Sequence, residues 1–145
     1  MAFETFTDGT PTNGANPWID ALVWGGAWDD GNPGPVTIAY AMISGSGSGG
    51  QTMSWTNAEK QVIQRVTKAW EKVANIDFVT SSANTADVHM WKLTNNQIGP
   101  NVLGQSEVPG YSGGYPLYYD LNGQATEWEN GQNKGGLGYM VALHE

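Results

Sequence analysis

The stretch "TNAEKQVIQRVTKAWEKVANI" (residues 56–76) decides the fold. Thr56 and Glu59 stand at capping-box spacing, where a hydroxyl and a carboxylate three residues apart satisfy each other's exposed backbone N–H groups. Val62, Ile63, Val66, Ala69, Trp70 and Val73 then recur on one helical face. The spacing predicts an amphipathic helix of about five turns. A helix with one apolar stripe must bury it against another element, and the flanking segments are strands.

"PVTIAYAMI" (residues 35–43) alternates and is rich in β-branched and aromatic residues. After the helix, "IDFVTS", "ADVHMWKL" and "YPLYYDLN" read as further strands, and "VLGQSEVPGY" as a short edge strand ended by Pro109-Gly110. "SGSGSGGQ" reads as a flexible loop, "DDGNPG" as a turn and "GQATEWENGQNKGG" as a polar loop. Residues 1–16 read as a flexible arm. Residues 17–24 read as a short helix, with Asn16 as its cap and Pro17 in its first position. Residues 17–145 thus form one α+β unit, a single main sheet backed by one long helix.

The composition narrows the function. Acidic residues outnumber basic ones by 14 to 6, for a net charge of −8, which argues against nucleic acid as a partner. The charge fits cation binding or plain solubility. No cysteine is present, so disulfides and thiolate metal sites are excluded. No apolar run reaches the ~18 residues of a membrane helix, and the first thirty residues carry no ordinary signal peptide.

Several candidate sites have ordinary readings. His89 sits in a strand without a second ligand at useful spacing and is expected to be structural. Asp29, Asp30 and Asn32 resemble a fragment of a calcium loop but lack the full pattern, so a turn is expected. Tyr111, Tyr115, Tyr118 and Tyr119 would suit either a sugar-stacking surface or sheet packing.

The final residues "GLGYMVALHE" place His144 and Glu145 at the end of a helix-like run. H-E-x-x-H on a helix is how one class of zinc peptidases holds its metal, because histidines four residues apart project from the same face. Taken with the order of elements before it, the chain resembles the catalytic domain of the metzincin zinc peptidases, specifically the serralysin-like secreted proteases. The resemblance rests on "IDALVWGGAWDD", "PVTIAYAM", "WTNAEKQVIQRVTKAWEKVANIDFVT", "ADVHMWK", "LGQSEVPG", "GGYPLYYD" and "GLGYMVALHE", and spans residues 17 to 145.

This resemblance implies a twisted, mostly parallel sheet of about five strands with an antiparallel edge strand. It also implies a zinc-dependent endopeptidase acting on proteins, secreted, with calcium in the full-length protein. His144 matches the first zinc ligand and Glu145 the general base. The other two histidines, the Met-turn and a tyrosine ligand of the family motif would follow residue 145. On this reading the chain is the N-terminal portion of the domain, inactive by itself and partnered by the remaining part. Gly104, Gln105, Ser106, Glu107 and Val108 match the strand that aligns substrate, although Glu107 and Pro109 equally suit an edge blunted against aggregation.

Three competing readings stand beside this one. The chain can be a non-catalytic module that binds an extended peptide at its edge strand, one half of a two-chain enzyme, or a glycan-binding β module. A last helix of about two turns also predicts exposed apolar surface and association or marginal stability.

Overall fold

The computed structural model describes residues 2–5, 26–29, 33–47, 50–106 and 117–144. It is an α+β chain built on a five-stranded sheet. The strands are β3 (Val36–Ile43), β6 (Ile76–Thr80), β7 (Val88–Leu93), β8 (Gly104–Ser106) and β9 (Leu117–Asn122), in the spatial order β6-β3-β7-β9-β8. The first four of these run parallel. β8 pairs antiparallel to β9, with Gly104 opposite Leu121 and Ser106 opposite Tyr119. The mostly parallel sheet with an antiparallel edge is therefore as expected.

Two small ladders lie outside it. β1 (Ala2–Thr5) pairs antiparallel with β2 (Gly26–Asp29), and β4 (Gly45–Gly47) with β5 (Gly50–Thr52). The first places Asp29 in a strand rather than a turn. The second corrects the reading of "SGSGSGGQ" as a flexible loop. A two-stranded ladder needs only backbone groups, and the Thr52 hydroxyl adds a hydrogen bond to the Gly45 carbonyl at 2.8 Å. The helix expected over residues 17–24 and the rest of the arm lie outside the described residues.

Helix α1 (Asn57–Trp70) backs the sheet. Its capping box forms as the sequence predicts: Glu59 N–H donates to the Thr56 hydroxyl at 3.3 Å, and Thr56 N–H to Glu59 Oε2 at 2.7 Å. The helix is one turn shorter than expected. Val73 N–H and Ala74 N–H both turn back to the Trp70 carbonyl, steering the chain into β6, and Val73 is left 78% exposed rather than in the core. Val62, Ile63 and Val66 carry the buried stripe, packed with Tyr40, Met90, Tyr119 and Leu121 of the sheet.

Three short helices complete the fold: α2 (Asn95–Ile98), α3 (Thr126–Asn130) and α4 (Leu137–His144). α3 corrects the expectation of a polar loop there. Its Trp128 is among the most deeply buried side chains of the core, edge-on to Trp55 with ring centroids 6.3 Å apart. A lone tryptophan among Glu, Asn and Gln gives no periodicity to read, yet burying its ring anchors the turn to the core.

A candidate peptide-binding groove beside helix α4

Helix α4 reads LGYMVALH and is apolar on every side. Such a helix is normally enclosed. Here Gly138, Tyr139 and Ala142 face the core, while Leu137 and Met140 remain 50% and 55% exposed.

Four contacts fix α4 in place. The buried Tyr119 hydroxyl donates to the Ala142 carbonyl at 2.6 Å, and Trp70 Nε1 donates to the Leu143 carbonyl at 3.1 Å. These occupy carbonyls of the last turn, which lack partners within an eight-residue helix. At the other end Tyr139 N–H donates to the Gly131 carbonyl at 2.9 Å. Gly138 lies so close to α3 that a Cβ there would come within 2.5 Å of the Glu127 carbonyl oxygen.

The outward side of α4 forms one wall of a groove of about 490 Å³. Leu137, Met140, Val141 and His144 line it at the i, i+3, i+4, i+7 positions of one helical face. The opposite wall is Val102 and Leu103, running into Gly104 at the start of β8. His144 and the edge strand stand apart in the sequence. In the fold they share one groove with Leu137, Met140 and Val141, whose helical spacing carried that signal in the sequence.

β8 stands at the end of the sheet, and among the described residues it has β9 as its one strand partner. Gln105 Nε2 donates to Asp120 Oδ2 at 2.8 Å across that pair. Gly104, Gln105 and Ser106 are thus at the edge as expected, whereas Glu107 and Val108 lie outside the described residues. The opposite edge of the sheet is different. On β6, the backbone N–H of Phe78 is taken by Glu71 Oε1 at 2.9 Å, and Glu71 pairs with Lys68. The Lys68 hydrogen bond, with a further contribution from Phe78 N–H, holds the Glu71 carboxyl below the usual carboxylate range. One edge is closed at its middle by a charged side chain, and the other adjoins the groove.

His144 is exposed at the last position of α4, and Glu145 lies outside the described residues. Catalytic zinc takes three protein ligands. Among the described residues no three His, Cys, Asp or Glu side chains converge. His144 is a candidate for one of the three ligands.

The strongest electrostatic feature lies beneath α1. Lys92 Nζ contacts both oxygens of Glu59, at 2.8 and 2.9 Å, and both side chains are buried. Glu59 also accepts the Thr56 hydroxyl at 2.8 Å and Trp128 Nε1 at 2.9 Å. Burial alone would raise the Glu59 carboxyl, but Lys92, Thr56 and Trp128 together outweigh it and hold the group below its ordinary value of 4.5.

The other described candidates lie in strands. His89 shares a 2.7 Å hydrogen bond with the Ala83 carbonyl and packs with Trp91 and Tyr118 on the face of the sheet away from α1. The Trp91 and Tyr118 rings are tilted by 53° to one another, and Tyr119 is buried on the opposite face. Tyr111, Tyr115, Asp30 and Asn32 lie outside the described residues. No helix among the described residues is long and apolar enough to cross a membrane. Compared with known proteins, the chain matches no family model, and no curated protein matches it either.

Proposed function

We propose that this chain is the N-terminal portion of a serralysin-like zinc endopeptidase domain that holds its substrate as an added strand along β8. The observation that supports this reading most is the shared groove, which has the start of the edge strand, Gly104, on one side and His144 on the other. A peptide extended along β8 would bond through its main chain. Its side chains would alternate, and those on the groove side would meet the apolar floor of Leu137, Met140 and Val141.

His144 would supply one zinc ligand, with the remaining ligands outside these 145 residues. Bound zinc would act as a Lewis acid on the scissile carbonyl and on water. Glu145 would take a proton from that water and return it to the leaving amine. The reading also carries secretion and calcium as parts of the same proposal.

The test combines two measurements on the chain. In the first, an apolar, uncharged pentapeptide is titrated while backbone amide signals are followed by NMR. Joint shifts at Gly104–Ser106 and in the His144 ring are expected. Shifts confined to another surface, or none at millimolar peptide, would refute the groove. The second is a native mass spectrum in zinc buffer, in which a species carrying one zinc together with a second polypeptide is expected where the missing part is supplied. A peptide that binds the groove with no zinc retained under that condition would favour the non-catalytic binding module instead.

A further inference from the structure

The buried carboxylate does more than the helix cap requires. Thr56 and Lys92 already satisfy Glu59 as the N3 residue of a capping box. The third partner, Trp128, comes from α3, 69 residues away in sequence. α3 has five residues and no side-chain cap of its own, and a helix that short does not hold its place alone. A hydrogen bond to an ionised acceptor is stronger than one between neutral groups, and it adds a fixed direction to the packing of the ring. The indole N–H therefore sets the rotation of Trp128, and with it the orientation of α3.

α3 in turn sets α4. A Cβ on Gly131 would come within 2.6 Å of Gly138 N, and one on Gly138 within 2.5 Å of the Glu127 carbonyl oxygen, so the two backbones pack closely at the start of α4, while Tyr119 and Trp70 hold its far end. His144 stands six residues beyond Gly138 on the same helix. Each residue of helical slippage turns a side chain by about 100°, enough to remove His144 from the groove.

We infer that Glu59 is a positioning residue for His144, acting through the Trp128 indole and the α3–α4 backbone contact. The importance of His144 rests on the function proposed above, but the positioning itself needs no metal. It is tested on the whole chain by amide hydrogen exchange, with the ring signal of ¹³C-labelled His144 as a second readout. Trp128→Phe keeps an aromatic ring and removes the donor. It is expected to speed exchange at residues 139–142 by about tenfold or more and to move the His144 signal, with Val62, Ile63 and Val66 of α1 unchanged. Equal acceleration in both helices would mean general destabilisation and would overturn the inference, as would unchanged exchange in α4.

Should the Phe variant fail to fold, Gly138→Ala provides the second arm. It pushes α4 from α3 while leaving the buried charges intact, and it must produce the same α4-selective exchange. No change in α4 would overturn the inference. A chain that shows the expected exchange but retains no zinc when the remaining part of the domain is supplied would sink the peptidase reading alone.

Discussion

Replacing Lys92 by Met tests how much the buried charge cluster contributes. The substitution keeps an unbranched apolar stem where Lys92 crosses the core and removes the ammonium that lies 2.8 and 2.9 Å from the two oxygens of Glu59. Removing one partner of a buried pair costs about 3–5 kcal/mol, because the other charge stays buried. Glu59 retains the Thr56 N–H, the Thr56 hydroxyl and the Trp128 indole, which places the loss near the lower end, about 3 kcal/mol. With a urea dependence of about 2 kcal/mol/M, the unfolding midpoint should fall by roughly 1.5 M.

The pH dependence gives the sharper check. The wild-type Glu59 carboxyl is held below 4.5, so its stabilising share is present above that pH and is lost as pH falls through the folded value. In the variant the Lys92 contribution is gone while burial still favours the protonated form, so Glu59 takes up its proton at higher pH. The gap between the two proteins should therefore narrow steadily from pH 7 to pH 4. Urea unfolding followed by tryptophan fluorescence at several pH values measures it. A gap under about 1 kcal/mol at pH 7, or one independent of pH, would show that the pair contributes through packing rather than charge. The double variant Glu59→Gln with Lys92→Met should recover much of the loss, since neither charge then remains buried alone.

Other outcomes follow from single contacts. Tyr119→Phe removes the hydroxyl that serves the Ala142 carbonyl and should cost about 1–2 kcal/mol; calorimetry should show Tm lowered by roughly 2–8 °C. Thr56→Ala removes the side-chain half of the capping box and should cost about 1 kcal/mol in urea unfolding. Glu71→Gln weakens the charged acceptor over Phe78 N–H and should raise light scattering on storage at neutral pH; a scattering record matching wild type would show that β6 is protected by something else.

Much of the fold could be read from the sequence wherever side chains alternate between water and core. The α1 stripe and the strands around Ile38, Met90 and Tyr119 follow that rule. Glycine-rich segments defeat it, since the β4–β5 ladder is held by backbone groups that every residue shares. Thr94 precedes α2 and forms a capping box with Gln97, whose Oε1 accepts the Thr94 N–H, a signal of the same kind as Thr56 and Glu59 that four residues of helix are too short to make conspicuous. Lys92 is the most informative residue in this respect. In "VHMWKL" it falls on the same face as Val88 and Met90, so the alternation already placed a lysine inside and implied a buried acid to meet it. The candidate site was legible in its parts, His144 and residues 104–106, but not as a unit. The groove depends on how α4 crosses the end of β8, which no local pattern encodes.

The unequal edges of the sheet also limit what copies of this chain can build. Head-to-tail stacking would join the β8 edge of one molecule to the β6 edge of the next, a heterologous contact that repeats without end. Glu71 on Phe78 obstructs that contact at one of its two faces. Among the described residues the strand pairing left open is β8 with β8 of a second molecule, which runs antiparallel about a two-fold axis and uses up both edges at once. Self-association through strands would then close at two molecules, and it would occupy the very edge that an extended peptide needs.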